Sequence, residues 1–128
     1  MRAEAYQGAW EGELLDVHGE VCWRVSITLS FTGERGAGQG LLRSTFFPEQ
    51  PPVPVTAEAS LRDGGLRLLL VAPERFDEGV CWLHQLALVD GADPRTLAGE
   101  GDYYEAPEPY EDDEPGELGA LRLRSVDA

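Results

Sequence analysis

The chain has 128 residues and a mass of 14.0 kDa, enough for one domain. Acids outnumber bases 24 to 10, giving a net charge of −14 and a pI near 4.3. That balance excludes nucleic-acid binding by phosphate neutralisation and electrostatic docking on an anionic membrane.

All ten bases are Arg, with no Lys and no Asn, a composition that fits coding bias in a GC-rich bacterial genome. The opening Met1-Arg2-Ala3-Glu4 carries an early acid and no apolar run, so no signal peptide is predicted. The longest aliphatic run, Leu68 to Ala72, is too short to span a bilayer as a helix. These features predict a soluble cytoplasmic protein whose two cysteines, Cys22 and Cys81, are free thiols.

Eight strands are predicted, over about 7–16, 21–32, 37–47, 53–61, 66–72, 80–90, 95–104 and 118–126. The second shows the clearest period of two. Val21, Trp23, Val25, Ile27, Leu29 and Phe31 alternate with Cys22, Arg24, Ser26, Thr28, Ser30 and Thr32. A helix would scatter those apolar residues around its axis. In the fourth, Val53, Val55, Ala57, Ala59 and Leu61 repeat the pattern. Turn signals fall between them at His18-Gly19, Thr32 to Gly36, Asp63-Gly64-Gly65 and Asp90 to Pro94, and Gly33 to Gly40 reads as a flexible hairpin. Longer breaks fall at Glu49 to Pro52 and Pro73 to Gly79, and the second leaves room for a helical turn.

Hairpin-length connections favour a meander, and eight strands suffice to close an antiparallel up-and-down barrel. Closure removes the exposed edges that such apolar strands would otherwise present. Val21-Cys22-Trp23 recurs as Val80-Cys81-Trp82. That is either a duplicated half-barrel or two strands using the same favoured residues.

Tyr6-Gln7-Gly8-Ala9-Trp10 places a Gly-x-Trp on the first predicted strand. An N-terminal Gly-x-Trp heading an eight-strand meander resembles the calycins, the group of lipocalin and avidin barrels. The resemblance implies that Trp10 packs across one closed end beneath a basic residue of the last strand, Arg122 or Arg124. It also implies a lumen. The lipocalin Thr-Asp-Tyr signature has no counterpart at the matching loop, and the polar residues that avidins set around biotin are absent, so biotin binding is not carried over.

Two binding surfaces follow. From Glu100 to Glu117 there are nine acids and no bases, interleaved with Tyr103, Tyr104, Tyr110 and three prolines. This stretch reads as an acidic Tyr/Pro-rich loop at about 105–117. It is either a solvated, self-repelling connection or a docking surface for a basic protein partner. In the second case Tyr103, Tyr104 and Tyr110 are anchors, and Glu111, Asp112, Asp113 and Glu114 steer association. Alternatively, Trp23, Phe31, Phe46, Phe47, Trp82 and Leu86 line a pocket for a small apolar ligand, or simply fill the barrel.

Catalytic and metal chemistry find little footing. His18-x3-Cys22 and Cys81-x2-His84 hold zinc-type ligands, but residues three apart on a strand face opposite ways. Cys22 and Cys81 both point outward if Trp23 and Trp82 point in, on opposite sides of the barrel, which excludes a disulfide. Glu111 to Glu114 lack the alternating spacing that wraps Ca²⁺. The Gly-rich run joins two strands, so no helix terminus is there to take a phosphate. No catalytic residue, metal or cofactor is therefore predicted.

Overall fold

The structure is a computed structural model that describes residues 5–72, 79–104 and 116–126, with backbone alone for 116–118. Eight antiparallel strands run in chain order: β1 (Gly8–Leu15), β2 (Val21–Thr32), β3 (Arg35–Ser44), β4 (Val53–Arg62), β5 (Gly65–Ala72), β6 (Val80–Leu88), β7 (Thr96–Tyr104) and β8 (Gly116–Ser125). Each pairs with its sequence neighbour, and β8 pairs back onto β1 from Trp10↔Ser125 to Leu14↔Leu121. The sheet is a closed barrel, as the period-two alternation predicts. Among the described residues no helix is long and apolar enough to cross a membrane. The predicted helical turn within Pro73 to Gly79 lies almost wholly outside the described residues.

The inner wall is built by parity. Trp10 and Leu14, Val25 to Leu29, Leu66 to Leu70, Trp82 and Leu86, and Leu121 and Leu123 send alternate side chains into one buried core. The β3 and β4 wall carries small residues instead, Gly36, Gly38 and Gly40 facing Val55, Ala57 and Ala59. Large residues of the other strands fill the space they leave. A β-carbon at Gly38 would run into the Thr28 carbonyl, so β2 and β3 approach closely there only because the residue is glycine. The Gly-rich run is therefore mostly strand. Only Gly33 and Glu34 form the turn, with Gly33 at φ +65°, and pairing resumes at Thr32↔Arg35.

β5 departs from simple alternation. Leu69 is on its outer face yet only 8% exposed, and Cys81, opposite Val71 on the outer face of β6, is 0% exposed. The unbroken run Leu68 to Ala72 reflects this burial on both faces.

The two ends of the barrel differ. At one end β2–β3 and β4–β5 join through two residues each, and β6–β7 through seven that include a cis Asp93–Pro94 peptide. Tyr6, Trp10 and Phe31 plug this narrow end; the Trp10 Nε1–H donates to the Tyr6 carbonyl at 2.9 Å, and the Tyr6 and Phe31 rings lie 6.4 Å apart. At the opposite end, called the wide end for its longer connections, these span five, eight, seven and eleven residues. The acidic segment is the longest of them.

Candidate functional site

The residue above Trp10 differs from the expectation. Arg95, at the start of the chain's approach to β7, sets its guanidinium 5.9 Å from the Trp10 ring centroid and donates to the Ala5 carbonyl at 2.9 Å. Arg122 and Arg124 point outward because Leu121 and Leu123 occupy the inner positions of β8. Arg124 instead bridges Glu13 at 2.8 Å, and that hydrogen bond and charge hold the Glu13 carboxyl below its usual range.

The predicted lining residues separate into three groups. Trp82 and Leu86 are in the core, and Trp23 and Phe31 are half-buried against it. Trp23 stands at the wide end and Phe31 at the narrow one. Phe46 and Phe47 are not on the inner wall: β3 ends at Ser44, and the two rings are 58% and 54% exposed in the β3–β4 connection. Their backbone is nonetheless anchored. The Thr45 amide donates to the Cys22 carbonyl at 3.1 Å, the Phe47 amide to Ser44 Oγ at 3.1 Å, and the Gln50 amide to the Phe47 carbonyl at 3.0 Å.

At the wide end three aromatic rings meet inside the mouth. Trp23 and Trp82, from opposite sides of the barrel, contact edge to face with centroids 6.4 Å apart, and Tyr103 lies 5.7 Å from Trp82. The recurring Val-Cys-Trp thus places two equivalent tryptophans at one level. Tyr103 and Tyr104, neighbours on β7, face opposite ways. Tyr103 joins the mouth, whereas Tyr104 is on the outer face opposite Cys81, where burial and then Asp102 raise its phenol pKa. Tyr110, Glu111, Asp112, Asp113 and Glu114 lie outside the described residues.

Two residues along β6 from Trp82, below the mouth, is His84, fully buried, with neither ring nitrogen hydrogen-bonded among the described residues. Its cross-strand partners are Leu68 on β5 and Gly101 on β7. Burial pushes its pKa down to about 4, so the imidazole is neutral at pH 7 and offers one donor and one acceptor. The parity that puts Trp82 inward also puts His84 inward, and that signal was available in the sequence. His18, by contrast, is exposed in the β1–β2 turn, where its amide donates to Asp16 Oδ1 at 2.8 Å. Cys81 and His84 diverge, and Cys22 and Cys81 are both free thiols. Burial, with Asp16 and Glu20 nearby, raises the Cys22 thiol pKa. Among the described residues no three His, Cys, Asp or Glu side chains gather where they could hold a metal ion.

Three outer grooves complete the picture. One of about 540 Å³ is lined by Ser26, Thr28, Gln39, Leu41, Pro54 and Thr56 and carries no ionisable side chain. A second, of about 380 Å³, carries Glu34, Arg35, Glu58, Arg62 and Arg67, and a third, of about 350 Å³, lies across β1, β2 and β3 and carries Glu11, Glu13, Arg24, Arg43 and Arg124. Comparison with family models, curated proteins and solved structures returned no match.

Proposed function

We propose that the protein is a non-catalytic binding protein that engages a basic protein surface end-on, through the wide end of the barrel. The observation that carries this reading is the pair Phe46 and Phe47. Two large aromatic side chains stand exposed on a hydrogen-bonded turn, at the end from which the acidic Tyr/Pro-rich segment also springs. Exposed Val17, in the β1–β2 turn, adds apolar surface at the same end. Aromatic anchors and charge at one end suit a protein interface, in which the anchors supply affinity and the charges supply steering. The arrangement matches an adaptor, inhibitor or immunity-type protein. Two free thiols fit a reducing cytoplasm.

The test uses a fluorescein-labelled oligo-arginine peptide and anisotropy in low salt. Replacing Glu111, Asp112, Asp113 and Glu114 by Ser is expected to weaken binding at least about tenfold, a loss of about 1.4 kcal/mol. Phe46→Ser with Phe47→Ser is expected to weaken a natural partner but to leave the peptide largely unaffected. Unchanged peptide binding by the acid-to-Ser variant would remove the acidic surface as the interface.

His84 favours a second reading, a carrier or sensor for a small apolar ligand. An unpartnered imidazole beneath the Trp23–Trp82–Tyr103 mouth provides one polar anchor in an otherwise apolar interior, the usual composition of a ligand pocket. The calycin resemblance supports the same reading, because a Trp-plugged narrow end leaves the other end as the entrance. Quenching of tryptophan emission by an uncharged naphthalene dye, lost on Trp82→Leu, is the expected sign.

A further inference from the structure

The outer wall of β8, β1, β2 and β3 carries a row of directly opposed side chains: Arg122↔Glu13↔Arg24↔Arg43. In the next row Arg124 faces Glu11. Four of the chain's ten arginines thus meet two glutamates, in a protein of net charge −14. Glu13 is bridged by Arg124 at 2.8 Å and also feels the charge of Arg24, but among the described residues neither Arg24 nor Arg43 comes within ion-pair distance of an acid. Like charges directly opposite on an antiparallel pair repel each other at a Cβ separation of about 5 Å. Both guanidinium groups are exposed beside the groove of about 350 Å³. A guanidinium fork matches a carboxylate, so this wall is suited to take one.

The same chain carries the complementary charge. Its nine acids from Glu100 to Glu117 are free of any base, and without them the remainder of the chain has a net charge of only −5. We infer that the basic surface bound by the acidic Tyr/Pro-rich segment is the Arg24–Arg43 wall of a second copy of this chain. The inference rests on the reading of that segment as a docking surface and names its partner. Because segment and wall are different patches, the contact is heterologous within each pair of surfaces. It closes as a two-fold dimer when each copy's segment lies on the other's wall. Repulsion between the two acidic molecules does not prevent this at moderate salt. The Debye length is about 8 Å at physiological ionic strength, so the local pairing of Arg with acid outweighs the distant charges.

Sedimentation velocity of the full chain tests it. In about 0.1 M NaCl the wild type is expected to pass from one chain to two as its concentration rises, and to return to one chain in about 1 M NaCl. Arg24→Ser with Arg43→Ser is expected to stay monomeric, as is the variant with residues 111–114 changed to Ser. Thermal melting of the Arg variant no lower than wild type shows that its fold is intact. Mixing the two variants restores pairs, since one supplies the wall and the other the segment. A wild type that is monomeric throughout, or an Arg variant that pairs like wild type, overturns the inference. If the monomeric wild type still binds oligo-arginine through its acids, the docking reading stands and only the second copy falls. If that binding also ignores the acids, both fall.

Discussion

The ring of His84 packs against Gly101: a β-carbon at residue 101 would sit 2.5 Å from the His84 Cγ and Cδ2 atoms. The glycine makes the space that admits an imidazole to the inner wall of β6. The imidazole gains packing there but no hydrogen bond. A buried polar group left unpaired costs about 1–3 kcal/mol. His84→Met keeps approximate volume and removes both orphan nitrogens. It is expected to raise unfolding stability by about 1–2 kcal/mol in urea melts, and a loss of stability would show that the nitrogens have a partner in solution.

The same residue gives a pH signature. An imidazole titrates at 6.5 when exposed and at about 4 in this fold, so between those values the unfolded chain binds the extra proton. Stability is therefore complete above about pH 6.5 and falls as pH drops toward 4, by about 3 kcal/mol from this group alone. The carboxylates add their own trend. The quantity to measure is the stability of His84→Met minus that of wild type, which should widen by that amount from pH 7 to pH 4. A constant difference would contradict burial of a neutral His84.

At the narrow end the cation over Trp10 is Arg95. Arg95→Ala should lower stability by about 1 kcal/mol and shift tryptophan emission, since it removes both the ring contact and the bond to the Ala5 carbonyl. Arg122→Ala should do neither. Arg124→Ala loses a half-exposed ion pair with Glu13, worth well under about 1 kcal/mol. If Arg124→Ala rather than Arg95→Ala moves the emission, the assignment of the Trp10 partner fails.

Phe46 and Phe47 separate stability from binding. Exposed side chains on an anchored turn contribute little to the fold, so Phe46→Ser with Phe47→Ser should change unfolding stability by no more than about 0.5 kcal/mol. A large drop in denaturant midpoint would place both rings in the barrel interior, as lining or filling, where the sequence expectation sets them.

Much of the architecture was legible because a two-residue period has one structural meaning. Val21 to Thr32 and Val53 to Leu61 state which face is inward, and hairpin-length connections order the strands around the barrel. The expectations that fail are those that side-chain parity contradicts. Leu121 and Leu123 claim the inside of β8 and so turn Arg122 and Arg124 outward. Phe46 and Phe47 follow Thr45, whose amide and hydroxyl tie the chain back to β2 and end the pleat. Two adjacent aromatic residues cannot both face inward on a strand. The contact of Arg95 with Trp10 spans the barrel end, and no local pattern encodes it. Nor does any local pattern encode the row of Arg24 and Arg43, which exists only once register is set.

A binding site at the wide end makes a positional forecast that amide chemical-shift mapping can check on the intact protein. During titration with the oligo-arginine peptide, the largest shifts should fall at Tyr103, Tyr104 and the acidic segment, with smaller shifts at Val17, Phe46 and Phe47 of the same end. Tyr6, Phe31, Gly64 and Arg95 at the narrow end should stay still. Shifts concentrated at the narrow end, or spread evenly over the barrel, would contradict the proposal that this protein binds through its wide end.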